Sequence, residues 1–442
     1  MNNKTLQLKV RMAVLLFLEF AVWGAYLTSL GAYLAKIGQG EHIGWFYAVQ
    51  GVVSIFMPAL VGIVADRWVQ AQRMLSLCHL LAGAFMGAAG WYALTTDDVS
   101  FSTLFSLYTL SVAFFMPTIG LANSVSYSAL TRNNLDPVKH FPPVRVFGTV
   151  GFIISMLFVN FTGFQNTAAQ LVTSAVISFA MAAYALTMPA CPTAESHQKK
   201  SLSEALGLKA FTLFKDKQMA IFFIFSMLLG VALQITNGFA NPFIQSFGSI
   251  PEYADTWGVH NANALISISQ MSETFCILLI PFFLRRYGIK TVMLMAMTAW
   301  VFRFGFFGLG NPGSGVWLFV LSMIVYGIAF DFFNVSGSLY VDKKTTSDIR
   351  SSAQGLFMIM TNGIGATCGT LVAQKIIDHN VFSRPEGMAQ IDGWHTSWLI
   401  FSAYALVVAV LFFFIFKDHD AHPGEAVAEA ADTVEDPEGM AE

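Results

Sequence analysis

The chain has 442 residues, of which 55% are hydrophobic and only 12% are charged, and its mean hydropathy is +0.60. Soluble domains carry about 25% charged residues, so this composition excludes an ordinary soluble protein and indicates one that lies in a lipid bilayer. The net charge of −3 is small, and we expect no nucleic-acid partner.

Twelve apolar segments are long enough to cross a bilayer, which takes about 20 residues of helix. They predict an all-α integral membrane protein with twelve transmembrane helices. The basic start of the chain runs into the first segment, which is longer than the core of a signal peptide, and we interpret it as a retained span. In chain order the segments are 8–36, 42–65, 74–95, 100–130, 143–163, 167–190, 219–247, 260–284, 290–310, 315–341, 350–378 and 395–416.

Lysine and arginine are distributed unevenly about these spans. Twenty of the 24 lie on the side that holds both chain termini, and three lie on the opposite side. Because Lys and Arg accumulate on the cytoplasmic side of membrane proteins, we expect both termini in the cytoplasm.

The interior loop 191–218 divides the spans into two sets of six. We therefore predict an N-terminal half over 1–190 and a C-terminal half over 219–416. The loop is polar and rich in Lys, and its stretch 200–214 has the pattern of an amphipathic helix on the membrane surface. The last segment, 417–442, is acidic and poor in apolar residues, which predicts a disordered cytoplasmic tail.

The two halves repeat short features. GIVADRW (62–68) follows the second span, and PFFLRRYGIK (281–290) lies at the matching point of the second half. Two pseudo-symmetric halves of six spans each, repeated in parallel, are typical of the major facilitator fold. GIVADRW has the start of the GxxxDR loop motif of that fold but lacks its later Gly-Arg-Arg portion. Asp66 and Arg67 are therefore candidates for a conformational latch, with a solvated turn as the alternative.

Two carboxylates lie deep inside predicted spans. Asp331, in LSMIVYGIAFDFFNVSG, precedes Asp342 by eleven residues, and Glu273 precedes Arg285 by twelve. Eleven residues correspond to about 16 Å of helix, which is mid-membrane depth. A charged side chain there costs about 2.5–3.5 kcal/mol, so we expect each carboxylate to face a cavity, a partner or a transport path. A purely structural pairing with a neighbouring helix is the alternative.

Polar and aromatic side chains recur at helical spacing on four spans. They predict a polar cavity between the halves that suits a small, flat, polyhydroxylated or heteroaromatic solute, with carboxylates able to carry coupling protons. Hydrogen bonds between helices and ordinary core packing are the alternatives. The residues are Arg145, Thr149 and Phe152; Gln234 and Asn237; Gln270 and Glu273; and Tyr326, Phe330 and Asp331.

Two further charged residues lie within spans. Glu19 shares a helix face with Trp23 and Tyr26 and is either a cavity residue or a structural one, and Arg303 is interpreted as a structural partner or a snorkelling residue. The sequence has no HExxH, GxSxG or phosphate-loop motif and no paired cysteines. We therefore expect neither an enzyme nor a metal or organic cofactor.

Several longer strings resemble those of one family: FPPVRVFGTVGF (141–152), MAIFFIFSMLLGVALQITNGFANPF (219–243), SISQMSETF (267–275), PFFLRRYGIK (281–290) and LSMIVYGIAFDFFNVSGS (321–338). Together they resemble the nucleoside:proton symporters of bacterial inner membranes, over essentially all twelve spans. The resemblance implies import of purine and pyrimidine nucleosides with protons by alternating access. It implies a substrate site at the ten residues of the four spans, with Asp331 or Glu273 as the proton carrier.

One residue departs from the family pattern, because members often have an uncharged residue where this chain has Glu19. A proton-coupled sugar or glycoside symporter of the same fold remains the alternative function, and a sensor or a membrane enzyme is a third. We expect a monomer whose partners are the lipid bilayer and a small-molecule substrate.

Overall fold

The computed structural model describes residues 3–191, 208–346 and 349–417, and all regular secondary structure within these ranges is helical. The principal helices are α1 Asn3–Gly24, α2 Leu30–Lys36, α3 Ile43–Arg67, α4 Ala71–Thr95, α5 Phe101–Arg132, α6 Pro137–Phe161, α7 Ala169–Ala185, α8 Lys217–Leu233, α9 Ile235–Ser246, α10 Ala262–Leu309, α11 Val316–Lys344, α12 Arg350–Met358, α13 Ala366–Ile377 and α14 Met388–Ile415. Two π-helical segments, Ile359–Gly365 and Asp378–Phe382, flank α13. A 3-10 helix, Leu208–Lys215, covers part of the predicted amphipathic stretch, of which 200–207 lies outside the described residues.

Nine helices of the described ranges are long and apolar enough to cross a membrane. Their outward faces are apolar as well: Phe275, Leu278 and Phe282, on one face of α10, are 70%, 74% and 57% exposed. A soluble protein rarely leaves such a stripe uncovered, whereas lipid covers it at no cost. The prediction of an all-helical membrane protein is confirmed.

Several predicted spans are interrupted. The first comprises α1 and α2 with turns between them, and the seventh comprises α8 and α9, which meet at Gln234. The eighth and ninth spans are two helical segments, labelled together as α10, that meet at Gly288 with φ +73° and ψ 170°. Glycine adopts this left-handed φ without steric cost, so Gly288 supplies the turn between two helical segments.

The helices pack in the same way in the two parts of the chain. In the first part α1 lies against α6, and α4 packs on both α5 and α7. In the second part α8 lies against the π-helical segment Ile359–Gly365, and α10 packs on both α11 and α14. One arrangement of helices therefore occurs twice.

Buried amides join the two parts at the carboxyl end of α6. Asn160 Nδ2 donates to Asn261 Oδ1 over 2.8 Å, and Gln165 Nε2 donates to the carbonyl oxygen of His260 over 2.9 Å. Thr28 Oγ1 donates to Oδ1 of the fully buried Asn263 over 2.5 Å. These bonds close one end of the interface between the two parts, about 22 Å along α6 from Arg145.

Candidate functional site

Helix α11 presents two stacked rings and a carboxylate at mid-span. The rings of Tyr326 and Phe330, one turn apart, lie 5.6 Å from each other with an interplanar angle of 19°. Asp331 is buried, and within the described residues its Oδ2 has no hydrogen-bond partner. Because an unpartnered buried carboxylate oxygen is costly, Asp331 is a candidate functional residue.

Helix α10 places a second carboxylate beside Asp331. Ser272 Oγ donates to the carbonyl oxygen of Ile324 over 2.5 Å and thereby fixes the register between α10 and α11. In this register Gln270 interacts with the side chain of Tyr326, and Glu273 interacts electrostatically with Asp331. Like charges at one buried site repel each other, and protonation of one carboxylate removes that repulsion.

Helix α6 contributes the cation among the ten predicted site residues, Arg145. The guanidinium of Arg145 lies 4.0 Å above the ring of Phe20 and interacts electrostatically with Glu273 on α10. Thr149 is half-buried one turn further along, and the ring of Phe152 lies 6.3 Å from that of Trp23. The structure thus brings Arg145, on the first part of the chain, within electrostatic reach of the second.

The break between α8 and α9 holds the remaining pair. Asn237 Nδ2 donates to Gln234 Oε1 over 2.9 Å, as the i, i+3 spacing predicts. Both amides are half-buried. In the described part of the chain they bond to each other and to none of the other eight predicted site residues.

A polar chain next to Phe152 was not predicted. Trp23 Nε1 donates to Gln50 Oε1 over 3.3 Å, and Gln50 Nε2 donates to the hydroxyl of Tyr108 over 2.8 Å. The chain links α1, α3 and α5. Gln50 was a detectable signal, because a buried amide within an apolar span requires a partner.

Arg303 lies directly behind the stacked rings. It is 2% exposed, so it does not snorkel to the membrane surface. Its Nη1 donates to the carbonyl oxygen of Ser322 over 2.8 Å, and its Cζ lies 4.3 Å from the centre of the Tyr326 ring. Of the two interpretations from sequence, the structural partner agrees with this geometry.

Glu19 and the predicted latch are the remaining charged candidates. Glu19 is fully buried and bonds to His79 and Thr118, so it lies within the first part of the chain rather than on a cavity wall. Asp66 and Arg67 form the end of α3, but their side chains lie outside the described residues.

Comparison with known proteins identifies relatives over most of the chain. The family model described as nucleoside H+ symporter matches residues 6–421. The chain is 47% identical to the xanthosine permease of Escherichia coli (strain K12) over 422 residues, covering 94% of this chain and 97% of the relative. It is 44% identical to the nucleoside permease NupG of the same organism over 417 residues, covering 93% and 96%.

Solved structures agree with the sequence comparison. A crystal structure of the nucleoside transporter NupG superposes with a TM-score of 0.84 at 44% identity, covering 95% of this chain and 100% of that one. The D-xylose-proton symporter shares the fold alone, with a TM-score of 0.66 at 13% identity, covering 93% and 97%. The full-length relatives are permeases rather than enzymes. The chain belongs to the nucleoside H+ symporter family.

Proposed function

We propose that this protein imports nucleosides together with protons across the bacterial inner membrane, by alternating access. The observation that carries the proposal is the mid-span group of Asp331, Glu273 and Arg145 beside the stacked rings of Tyr326 and Phe330. The names of the relatives support nucleosides as the substrate class, and the family description supports the proton as the coupling ion.

A nucleoside has a flat base and a sugar with several hydroxyls, and the proposed site offers groups for both. The base lies against aromatic rings, which bind flat heterocycles by stacking. The sugar hydroxyls form hydrogen bonds with amides and a carboxylate. Amides donate and accept hydrogen bonds, and a carboxylate is a strong acceptor. The ring residues are Phe152, Tyr326 and Phe330; the sugar residues are Gln234, Asn237, Gln270 and Glu273; and Arg145, Thr149 and Asp331 complete the proposed site.

Asp331 carries the coupling proton in this proposal, with Glu273 as the second candidate. A bare carboxylate at mid-span opposes reorientation of the cavity, because its charge must stay solvated or paired. Protonation removes that charge, so the loaded carrier reorients with both proton and nucleoside. Among the described residues the buried Oδ2 of Asp331 has no hydrogen-bond partner, which supports this assignment.

The proposed topology has twelve transmembrane helices with both termini in the cytoplasm. As one straight helix the 48 residues of α10 would be about 72 Å long, more than twice the roughly 30 Å hydrocarbon core, so its two segments, which meet at Gly288, count as separate spans. The 17-residue helix α7 and the pair α1 and α2 add two more. The excess of Lys and Arg on one side supports the orientation.

The domain organisation follows from this topology. The halves 1–190 and 219–416 move against each other, the segment 191–218 connects them in the cytoplasm, and 417–442 forms the tail. Asp66 and Arg67 act as a latch at the cytoplasmic end of the N-terminal half. A monomer is sufficient, because one chain contains both halves.

Uptake of labelled uridine and adenosine into proteoliposomes tests the proposal. With an inward proton gradient, we expect accumulation above the external concentration, which a protonophore abolishes. Equilibration without accumulation would refute proton coupling. Absence of flux for both nucleosides, together with uptake of labelled sugars, would replace nucleosides by sugars as the substrate.

A further inference from the structure

Glu19 and His79 form a buried pair that the proposed transport site does not use. His79 Nε2 lies 2.8 Å from Glu19 Oε2, and the two side chains are 0% and 1% exposed. Thr118 Oγ1 lies 2.6 Å from the other carboxylate oxygen, and Ser178 Oγ lies 3.0 Å from His79 Nδ1. Four helices, α1, α4, α5 and α7, therefore contribute one residue each to this network.

The hydrogen bonds of Ser178 determine which atom of the His79 ring carries a proton. A hydroxyl has one hydrogen, and that of Ser178 is donated to the main-chain carbonyl oxygen of His79 over 2.9 Å. Ser178 Oγ therefore accepts at its other contact, and His79 Nδ1 carries the hydrogen that it accepts. The other ring nitrogen, Nε2, is left to face Glu19.

The contact between His79 Nε2 and Glu19 requires a second proton. With Nδ1 protonated, a bare Nε2 would present its lone pair to a carboxylate oxygen 2.8 Å away, which is repulsive. A proton on Nε2 gives an imidazolium and a carboxylate, and a proton on Glu19 gives two neutral groups. The pair is neutral in both cases, and it holds one proton more than a carboxylate and a neutral imidazole.

The charged neighbours of the pair connect it to the proposed site. Of the described residues, Cys78 on α4 and Arg145 on α6 interact electrostatically with Glu19. Helix α5 faces Glu19 with the hydroxyl of Thr118, and α7 faces His79 with the hydroxyl of Ser178. Arg145 also interacts with Glu273 of the C-terminal half. Loss of the proton from the pair therefore places a net negative charge near Arg145, the cation that interacts with Glu273.

We propose that Glu19 and His79 form a second proton-binding site, in the N-terminal half, whose occupancy decides how Arg145 is shared between Glu19 and Glu273. With the proton bound, the pair is neutral and Arg145 is available to Glu273 and the substrate. Without it, Glu19 attracts Arg145 away from them. The inference rests on the proposed nucleoside transport. Loss of this proton as pH rises should lower nucleoside affinity without involving Asp331.

Nucleoside binding to the purified full-length chain at several pH values tests this route. The Kd for uridine is measured in the wild type and in Asp331→Asn, each with and without Glu19→Gln. With Glu19 present we expect affinity to fall about three- to tenfold as pH is raised across the range in which the protein stays folded, in the Asp331→Asn background. With Glu19→Gln in that background, we expect the part of the fall that depends on Glu19 to be lost.

Two further variants separate the proton from the packing. His79→Gln leaves Glu19 without its ring partner and should change the pH at which affinity falls, which a packing change alone would not do. Ser174→Ala removes a buried hydrogen bond between α7 and α1, from Ser174 Oγ to the carbonyl oxygen of Val22 over 2.8 Å, but removes no titratable group. It should keep the pH dependence of its parent.

An equal pH dependence with and without Glu19, or none in either protein, would overturn the second site. Absence of uridine binding in the wild type at every pH would instead refute the proposed function. The proton site has its own readout in that case: infrared and 15N NMR spectra of the nucleoside-free protein should show a proton on Glu19 or on both ring nitrogens of His79. An ionised Glu19 beside a His79 ring with a proton on only one nitrogen, at neutral pH, would exclude the site.

Discussion

Arg303 is a buried cation that holds the stacked rings in place. In the described part of the chain its guanidinium bonds to the carbonyl oxygen of Ser322 and, over 3.3 Å, to the hydroxyl of Ser269, rather than to a carboxylate. The ring of Tyr326 lies 4.3 Å from its Cζ, and such contacts contribute about 0.5–2 kcal/mol. Arg303 therefore positions a ring of the proposed site without reaching the substrate.

Replacement of this cation should weaken nucleoside binding. Arg303→Met keeps an apolar chain behind Tyr326 but removes the charge and its hydrogen bonds, so we expect the apparent KM for uridine to rise about 2- to 30-fold. Initial rates of uptake over a range of uridine concentrations measure this change. Arg303→Lys keeps the charge and should show a smaller rise. An unchanged KM in Arg303→Met would show that Tyr326 is positioned without Arg303.

Asp331→Asn should separate uphill uptake from exchange. Asn resembles the protonated carboxyl in shape but neither binds nor releases a proton, so we expect gradient-driven accumulation of uridine to be lost. Exchange of labelled for unlabelled uridine should persist, since it requires no release of the proton. Asp342→Asn is the matched control, because Asp342 is a half-exposed partner of Arg350 at 3.0 Å and such pairs contribute about 1 kcal/mol or less. Full accumulation by Asp331→Asn would remove Asp331 from the coupling role.

Depth along a helix was predictable for single residues, whereas contacts between distant residues were not. Asp331 precedes Asp342 by eleven positions, and this offset is sufficient to locate the carboxylate at mid-span. The stack of Tyr326 and Phe330 follows from their i, i+4 spacing. The position of Arg303 behind Tyr326 depends on how α10 folds back on α11, and sequence spacing contains no information about that.

At the scale of elements, the contact between α10 and α11 sets the separation of the two carboxylates. A Cβ on Gly327 would lie 2.6 Å from the carbonyl oxygen of Ser272 and 2.7 Å from Cys276 Sγ. Gly327 is one turn before Asp331, and Ser272 is adjacent to Glu273. The absence of a side chain at residue 327 therefore lets the two helices approach where the carboxylates meet.

Gly327→Ala should separate these helices. The methyl group would overlap main-chain atoms of α10, and overpacking of this kind costs about 1–3 kcal/mol. We expect a lower thermal unfolding temperature and reduced proton-driven uptake. Gly355→Ala in α12 is the control, because its Cβ would meet nothing within 4 Å and alanine favours helix. Equal stability and uptake in the two variants would show that the helices adjust without cost.

The existence of the helices was predictable, because about 20 apolar residues in a row leave few alternatives in lipid. Their interruptions were harder to predict. Gly288 was visible in the sequence, but the angle between the two segments of α10 was not, since it depends on the φ and ψ of that one residue. The π-helical segment Ile359–Gly365 lies against α8, so its irregular backbone has a partner about 130 residues earlier in the chain.

For the whole molecule, the amides at the carboxyl end of α6 hold one end of the two-part interface closed. Asn263 makes two of these bonds, because its Oδ1 accepts from Thr28 and its Nδ2 donates to the carbonyl oxygen of Met156 over 3.2 Å. The distribution of Lys and Arg predicts which side of the membrane this end faces. It does not predict closure, because the bonding partners lie on different halves and meet only after both have folded.

Asn263→Ala should shift the molecule toward a state that is open at this end. The variant loses two buried hydrogen bonds between the halves, each contributing about 1 kcal/mol, so we expect the open population to rise roughly tenfold or more. Spin labels on cysteines placed at Phe161 and Trp257, both more than half exposed, report the separation by pulsed electron paramagnetic resonance.

The background for this measurement is Cys368→Ser, since the other three native cysteines are buried. Asn133→Ala is the matched control, because the amide of Asn133 donates to the carbonyl oxygen of Ala129 in its own helix over 2.8 Å and does not join the halves. The control should keep the parental distance distribution, while Asn263→Ala should add a longer component. If both variants keep the parental distribution, the closed end is held by apolar packing, and the amides serve only to satisfy one another. A longer component that decreases when uridine is added would show that uridine binds the closed arrangement more tightly than the open one, because a ligand shifts such an equilibrium only through a difference in affinity.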